Sequence, residues 1–154
     1  MMPIDFIVSS LPSLSLDGPA PCSWEQFEAQ VGADHLRDAL SRSGWNDLET
    51  QLRNALAEAR GKGEQNARPA VGCSLYWKKR VFDAFAERDV LKRENLLDRV
   101  WWDAAGELTP PASPLGLGAL LTYAVRLRLV LKHAKISAAA GNAAFDRLTA
   151  ETRR

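Results

Sequence analysis

The sequence predicts an all-α protein, a compact multi-helix bundle with a short extended N-terminal segment, as a single helical domain over 1–154. Three observations carry that expectation. Apolar residues recur at intervals of three and four along most of the chain, the period of an amphipathic helix. Capping residues precede several of these runs, and glycines follow them. No region shows the regular short strands and tight turns of a β protein.

The elements follow in order. Ile4–Ser10 is β-branched and partly alternating, so it reads as an edge strand or extended arm. Leu11-Pro12 bars a helix from continuing there, and Asp17-Gly18-Pro19 makes a turn. Ser23 and Gln26 form a capping-box pattern, and Trp24, Phe27 and Val31 share one face of the helix that ends at Gly32. Asp34 opens the next helix, which carries Leu36 and Leu40 and stops before Gly44. Trp45, Leu48, Leu52, Leu56 and Ala59 form the clearest stripe, closed by Gly61.

Residues 61–72 lack periodicity and hold three glycines and a proline, which predicts a mobile loop. Ser74 caps a helix with Leu75, Val81, Phe82 and Phe85 on its apolar face. A further helix runs from about Arg93 to Ala105. Residues 109–114 are a Pro-rich connector that cannot be helical. Leu115 to about Lys135 is predicted as one helix. Another is expected from near Ser137, with Gly141-Asn142 delaying or breaking its first turn.

Composition bounds the function. Among 154 residues, 46% are hydrophobic and 25% charged, the balance of a globular domain. The net charge of +1 speaks against a dedicated nucleic-acid binder. The charge is polarised: net −5 over residues 1–60 and net +5 over 122–154. Cys22 and Cys73 are too few for a disulfide scaffold. His35 and His133 are the only histidines, and no metal-ligand spacing is present, so neither metal nor cofactor is expected.

Catalytic signatures are equally absent from the reading. Gly61-Lys62-Gly63 lacks the phosphate-loop frame. Ser9, Ser10, Ser13 and Ser15 sit outside any nucleophile elbow. Cys73 stands at a helix start, where a thiol is most often just a small residue. No enzyme and no small-molecule substrate are expected. No positive charge precedes the apolar Ile4–Leu16 stretch, so no secretory leader is expected. Arg126 and Arg128 interrupt the Leu115–Leu131 run, which argues against a membrane span and for a cytoplasmic protein.

What remains is a set of contact residues. Adjacent Trp101 and Trp102 point about 100° apart on a helix, so Trp102 either anchors a partner or lies under the 110–114 connector. Arg126, Arg128, Lys132 and Lys135 are the strongest basic feature. They suit an acidic protein, RNA, lipid headgroups or an internal ion-pair role.

Two passages carry a resemblance. Ile7-Val8-Ser9-Ser10-Leu11-Pro12-Ser13-Leu14-Ser15-Leu16-Asp17, followed by Ser23-Trp24-Glu25-Gln26-Phe27, resembles the N-terminal signature of an uncharacterised bacterial family encoded beside V-type ATP synthase genes. Asn95-Leu96-Leu97-Asp98-Arg99-Val100-Trp101-Trp102, with Leu120-Leu121-Thr122-Tyr123-Ala124-Val125-Arg126-Leu127-Arg128-Leu129 and the closing Gly141, Phe145 and Leu148, is similar to its C-terminal helical pair. That family resembles the C-type subunit of the synthase, known as the d-type in eukaryotes.

The resemblance implies a helical protein without an active site that couples the central stalk to the membrane ring. The C-type subunit proper is considerably longer and built of several helical lobes, so a reduced form of it or an accessory or assembly factor is implied. The expected partners are other V-type ATP synthase subunits, of the central stalk or membrane ring. The protein would then be peripheral to the membrane through the partner complex. Leu11, Pro12, Trp102, Arg126, Arg128 and Lys132 are the candidate partner surface. The alternative is a helical nucleic-acid-binding or regulatory module that uses the basic C-terminal third.

Overall fold

The computed structural model describes residues 3–63, 67–69, 72 and 74–152, and of residues 137–144 the backbone alone. The described elements are all helical: α1 (Ile4–Ser10), α2 (Trp24–Val31), α3 (Ala33–Arg42), α4 (Trp45–Ala59), α5 (Leu75–Phe85), α6 (Val90–Ala105), a 3-10 turn (Gly106–Leu108) and α7 (Leu117–Thr152). The all-α expectation holds.

Local chemistry explains most of the boundaries. Ser23 accepts from Gln26 N while the Gln26 side chain accepts from Ser23 N, the reciprocal cap expected at the start of α2. Ser74 accepts from Trp77 N at the start of α5. Asp89 accepts from Lys92 N at 3.0 Å, so α6 begins at Val90 rather than near Arg93. Its first apolar residues, Val90 and Leu91, are exposed and so do not mark the start by periodicity. Gly32 caps α3 at a φ of 96°, a conformation that favours glycine, and Asp34 sits inside the first turn.

Three expectations need correction or bounding. Ile4–Ser10 is a helix, not an extended arm. A lone strand would leave its backbone groups unpaired, whereas a helix satisfies them within itself. The hydroxyls of Ser9 and Ser10 donate to the carbonyls of Phe6 and Ile7, and buried Ile7 joins the core while α1 packs on α7. Leu11 is extended at the end of α1, and residues 12–15 have no regular secondary structure.

The second correction is at Gly141-Asn142, where α7 runs unbroken for 36 residues. The glycine costs about 1 kcal/mol against alanine, but alanines at 138–140, 143 and 144 surround it. The third point is the predicted mobile loop at 61–72. Residues 64–66, 70 and 71 lie outside the described residues, as does Cys73.

The first half of α7 is the spine of the bundle. It meets α1, α2, α3, α6 and the 3-10 turn, while α4, α5 and α6 pack in succession beside it. Leu120, Leu121, Ala124, Val125 and Leu127 are buried with Phe27, Leu36, Leu52, Trp77, Val81, Leu97 and Val100. The Pro-rich connector is non-helical, as expected, and lies tight against the start of α7. A Cβ on Gly118 would come within 2.1 Å of the Leu108 carbonyl oxygen, so only glycine fits there. The Thr109 and Thr122 hydroxyls meet at 2.6 Å. With Thr109 as donor, the single Thr122 proton serves the Ala105 and Gly118 carbonyls, each at 3.0 Å.

Candidate functional site

The packing of residues 11–14 against α6, the connector and α7 leaves an open cleft of about 330 Å³. Four of the six sequence-nominated residues line it: Leu11, Pro12, Trp102 and Arg126. They come from three separate stretches of chain. The Tyr123 hydroxyl donates to the Pro12 carbonyl at 2.8 Å and so ties the segment after α1 to α7. Tyr123 also packs on Phe27, ring centroids 5.5 Å apart. Burial pushes the Tyr123 phenol up to about 12, with the Cys22 thiol adding to the effect. Its proton therefore stays in place at neutral pH.

Trp102 and Arg126 form the polar end of the cleft. The Arg126 guanidinium lies 4.9 Å from the centroid of the Trp102 ring, and its Nε donates to the Trp102 carbonyl at 3.1 Å. Gly106 leaves room for it: a Cβ there would stand 3.2 Å from Arg126 Nη2. Burial holds the Arg126 guanidinium below its ordinary range, Asp103 acts against that shift, and Arg99 adds to it. The neighbouring charges have partners of their own. Asp103 binds Arg80 at 2.9 Å, and Arg99 binds Asp17 at 3.2 Å. Trp102 is half-buried, and Pro114 of the connector lines the same cleft.

Arg128 and Lys132 lie elsewhere. Two residues along a helix turn about 200°, so Arg126 and Arg128 leave opposite sides of α7. Arg128 stacks over Trp24 at 4.4 Å from its centroid. Lys132 donates to Asp98 Oδ1 at 3.1 Å, and His133 Nε2 pairs with Asp98 Oδ2. Asp98 is 8% exposed, so these two side chains compensate a nearly buried carboxylate. His133 is thus a mid-helix partner of α6 and not a helix-end charge. Arg126, Arg128 and Lys132 serve three separate internal contacts instead of forming one stripe, while Lys135 is exposed.

Two of the hollows that the sequence reading did not foresee are larger than this cleft. One, of about 460 Å³, is apolar and lies among α1, α3 and the start of α7, with Ile4, Leu36, Leu117 and Leu120 in its wall. It depends on α1 being helical, so no linear signal revealed it. The other, of about 720 Å³, runs along α4 and carries Arg53, Arg60, Lys62 and Arg68. Arg60 and Lys62 follow the C-terminal end of α4, where cations complement the helix dipole. Among the described residues, no three metal-binding side chains gather to hold an ion. No described helix is long and apolar enough to cross a membrane. Comparison with family models, curated proteins and solved structures gives no match to this chain.

Proposed function

We propose that this chain is a non-catalytic component or accessory factor of a V-type rotary ATP synthase, akin to its C-type subunit and acting by protein–protein contact. One observation supports contact as the mode of action. In the first half of α7, Leu127 is 0% and Val130 1% exposed. Eighteen residues on, about five helical turns, Phe145 and Leu148 fall on the same line of the helix, yet they are 66% and 64% exposed. An apolar line that continues beyond its own core, on one unbroken helix, is a surface suited to a partner protein.

The resemblance of the N-terminal and α6–α7 motifs supplies the partner class, the central stalk or membrane ring. On this reading the protein works at the cytoplasmic side, peripheral to the membrane through that complex. The nucleic-acid alternative draws on the same basic third, and its binding would weaken steeply with added salt. Affinity purification of the tagged full-length chain from its native host tests the lead reading. Stalk or ring proteins of the synthase are expected in the eluate, with their yield reduced in a Phe145→Ala/Leu148→Ala double variant. Recovery of no synthase component above background overturns it.

A further inference from the structure

We infer that the Trp102–Arg126 cleft is a binding site for an acidic peptide segment of a partner protein, with one carboxylate seated on Arg126 and an apolar neighbour on Leu11, Leu14 and Trp102. The inference rests on the reading of this chain as a protein that acts by contact, but it does not depend on which complex it joins.

The chemistry of Arg126 leads to it. A guanidinium carries five N–H donors in a planar fork that matches a carboxylate. One of them, on Nε, is used on the Trp102 carbonyl. Among the described residues, no carboxylate forms an ion pair with the rest, since Asp103 is held by Arg80 and Asp17 by Arg99. The cation is nevertheless half-buried, stacked on one face and partly stripped of water. No fully buried side-chain nitrogen lacks a hydrogen-bond partner among the described residues, so any unpaired Nη hydrogens remain open to the cleft or to solvent. A carboxylate entering the cleft would find a half-buried guanidinium already oriented by the Trp102 ring and carbonyl, a setting for a charge-assisted pair.

The rest of the lining selects the ligand. Val8, Leu11, Leu14 and Pro114 give the cleft an apolar side, and Ser13 and Thr109 line it with hydroxyls. A free inorganic anion would leave that side uncovered, whereas a peptide with a carboxylate next to an aliphatic side chain fills both parts. The cleft along α4 is a different environment. Its cations stand among Asn46, Thr50 and Asn54, and its apolar lining is Leu56, Ala57 and Ala67, with no aromatic ring beside the charge.

The test uses the full-length protein and two blocked seven-residue peptides, one with a single glutamate between two leucines and one with glutamine in its place. Binding is followed by NMR through the Arg126 Nε–H and Trp102 indole N–H signals. The glutamate peptide is expected to shift both signals and to bind about tenfold or more tightly than the glutamine peptide, the size of one charge-assisted contact. Arg126→Gln should erase that difference, and Arg126→Lys should keep part of it. Thermal melting checks that each variant is folded, and the two-peptide comparison on the unaltered protein stands whether or not they are.

Equal binding of the two peptides overturns the inference. So does absence of shifts with both at millimolar concentration, shifts confined to the α4 cleft, or displacement of the peptide by equimolar inorganic phosphate. None of these results bears on whether synthase components co-purify, and failed co-purification leaves the peptide result standing.

Discussion

The two halves of α7 carry related apolar patterns and meet opposite surroundings. From Leu117 to Leu131 the helix is wrapped by α1, α2, α3, α6 and the 3-10 turn, and its apolar line is the centre of the core. Beyond the Asp98–Lys132–His133 cluster, the described side chains are mostly exposed, Phe145 and Leu148 among them. The difference shows that an apolar stripe specifies a face and not what covers it. In the first half the cover is intramolecular, and in the second half the described residues leave most of Phe145 and Leu148 exposed.

Substitutions along the shared line sharpen that contrast. Leu127→Ala should produce the largest effect, about 3 kcal/mol of destabilisation, because a fully buried side chain leaves a cavity that the packed spine cannot close. Thermal unfolding should register it as a fall of roughly 10 °C. A loss below about 1 kcal/mol would mean that the first half of α7 is far less enclosed than its burial states.

An intermediate effect is expected at Tyr123, which fastens the segment after α1 to the buried half. Tyr123→Phe removes the donor to the Pro12 carbonyl and should cost about 1 kcal/mol near neutral pH. The pH dependence has a definite sign. The folded phenol holds its proton up to about 12, above the ordinary value of about 10. The stability it contributes is therefore full below about pH 10 and declines as the pH rises toward about 12. Urea unfolding of the two proteins over that window should show the extra alkaline loss in wild type and not in the variant. Parallel curves would contradict the assigned environment.

The smallest effect belongs to the far half. Phe145→Ala/Leu148→Ala should alter the stability of the isolated protein by no more than about 0.5 kcal/mol, since both side chains already face solvent. A larger loss, measured by the same unfolding assay at several protein concentrations, would mean that this half is covered after all. Dependence of that loss on concentration would identify the cover as a second copy of the chain.

Much of the helical framework was legible in the residues. α2 announced itself through Ser23 and Gln26, α4 through the Trp45–Ala59 stripe, and α5 through Ser74. These signals are local: a cap or a stripe acts over a few residues. α1 departs from the sequence reading because isoleucine, valine and phenylalanine favour a strand locally, and packing on α7 overrides that preference. The junction at Gly141 was misread because the penalty of one glycine is smaller than the combined preference of the alanines around it. For the candidate site, the sequence nominated Leu11, Pro12, Trp102 and Arg126 separately. Nothing linear joined positions so far apart along the chain.

By itself, the sequence determined that this chain is helical and where most of its helices begin, because the 3.6-residue period and the caps are properties of short stretches, but not the inward face of α5, where Leu75 and Phe82 of the expected stripe are exposed and Trp77 and Ala84 are buried instead. Tertiary structure alone decided that Arg126 stacks on Trp102 while Arg128 turns away to Trp24, that the Pro12 carbonyl closes on Tyr123, and that the apolar line of α7 is covered at Leu127 and bare at Phe145. Those outcomes depend on which surfaces meet through space, and helical periodicity holds no record of that.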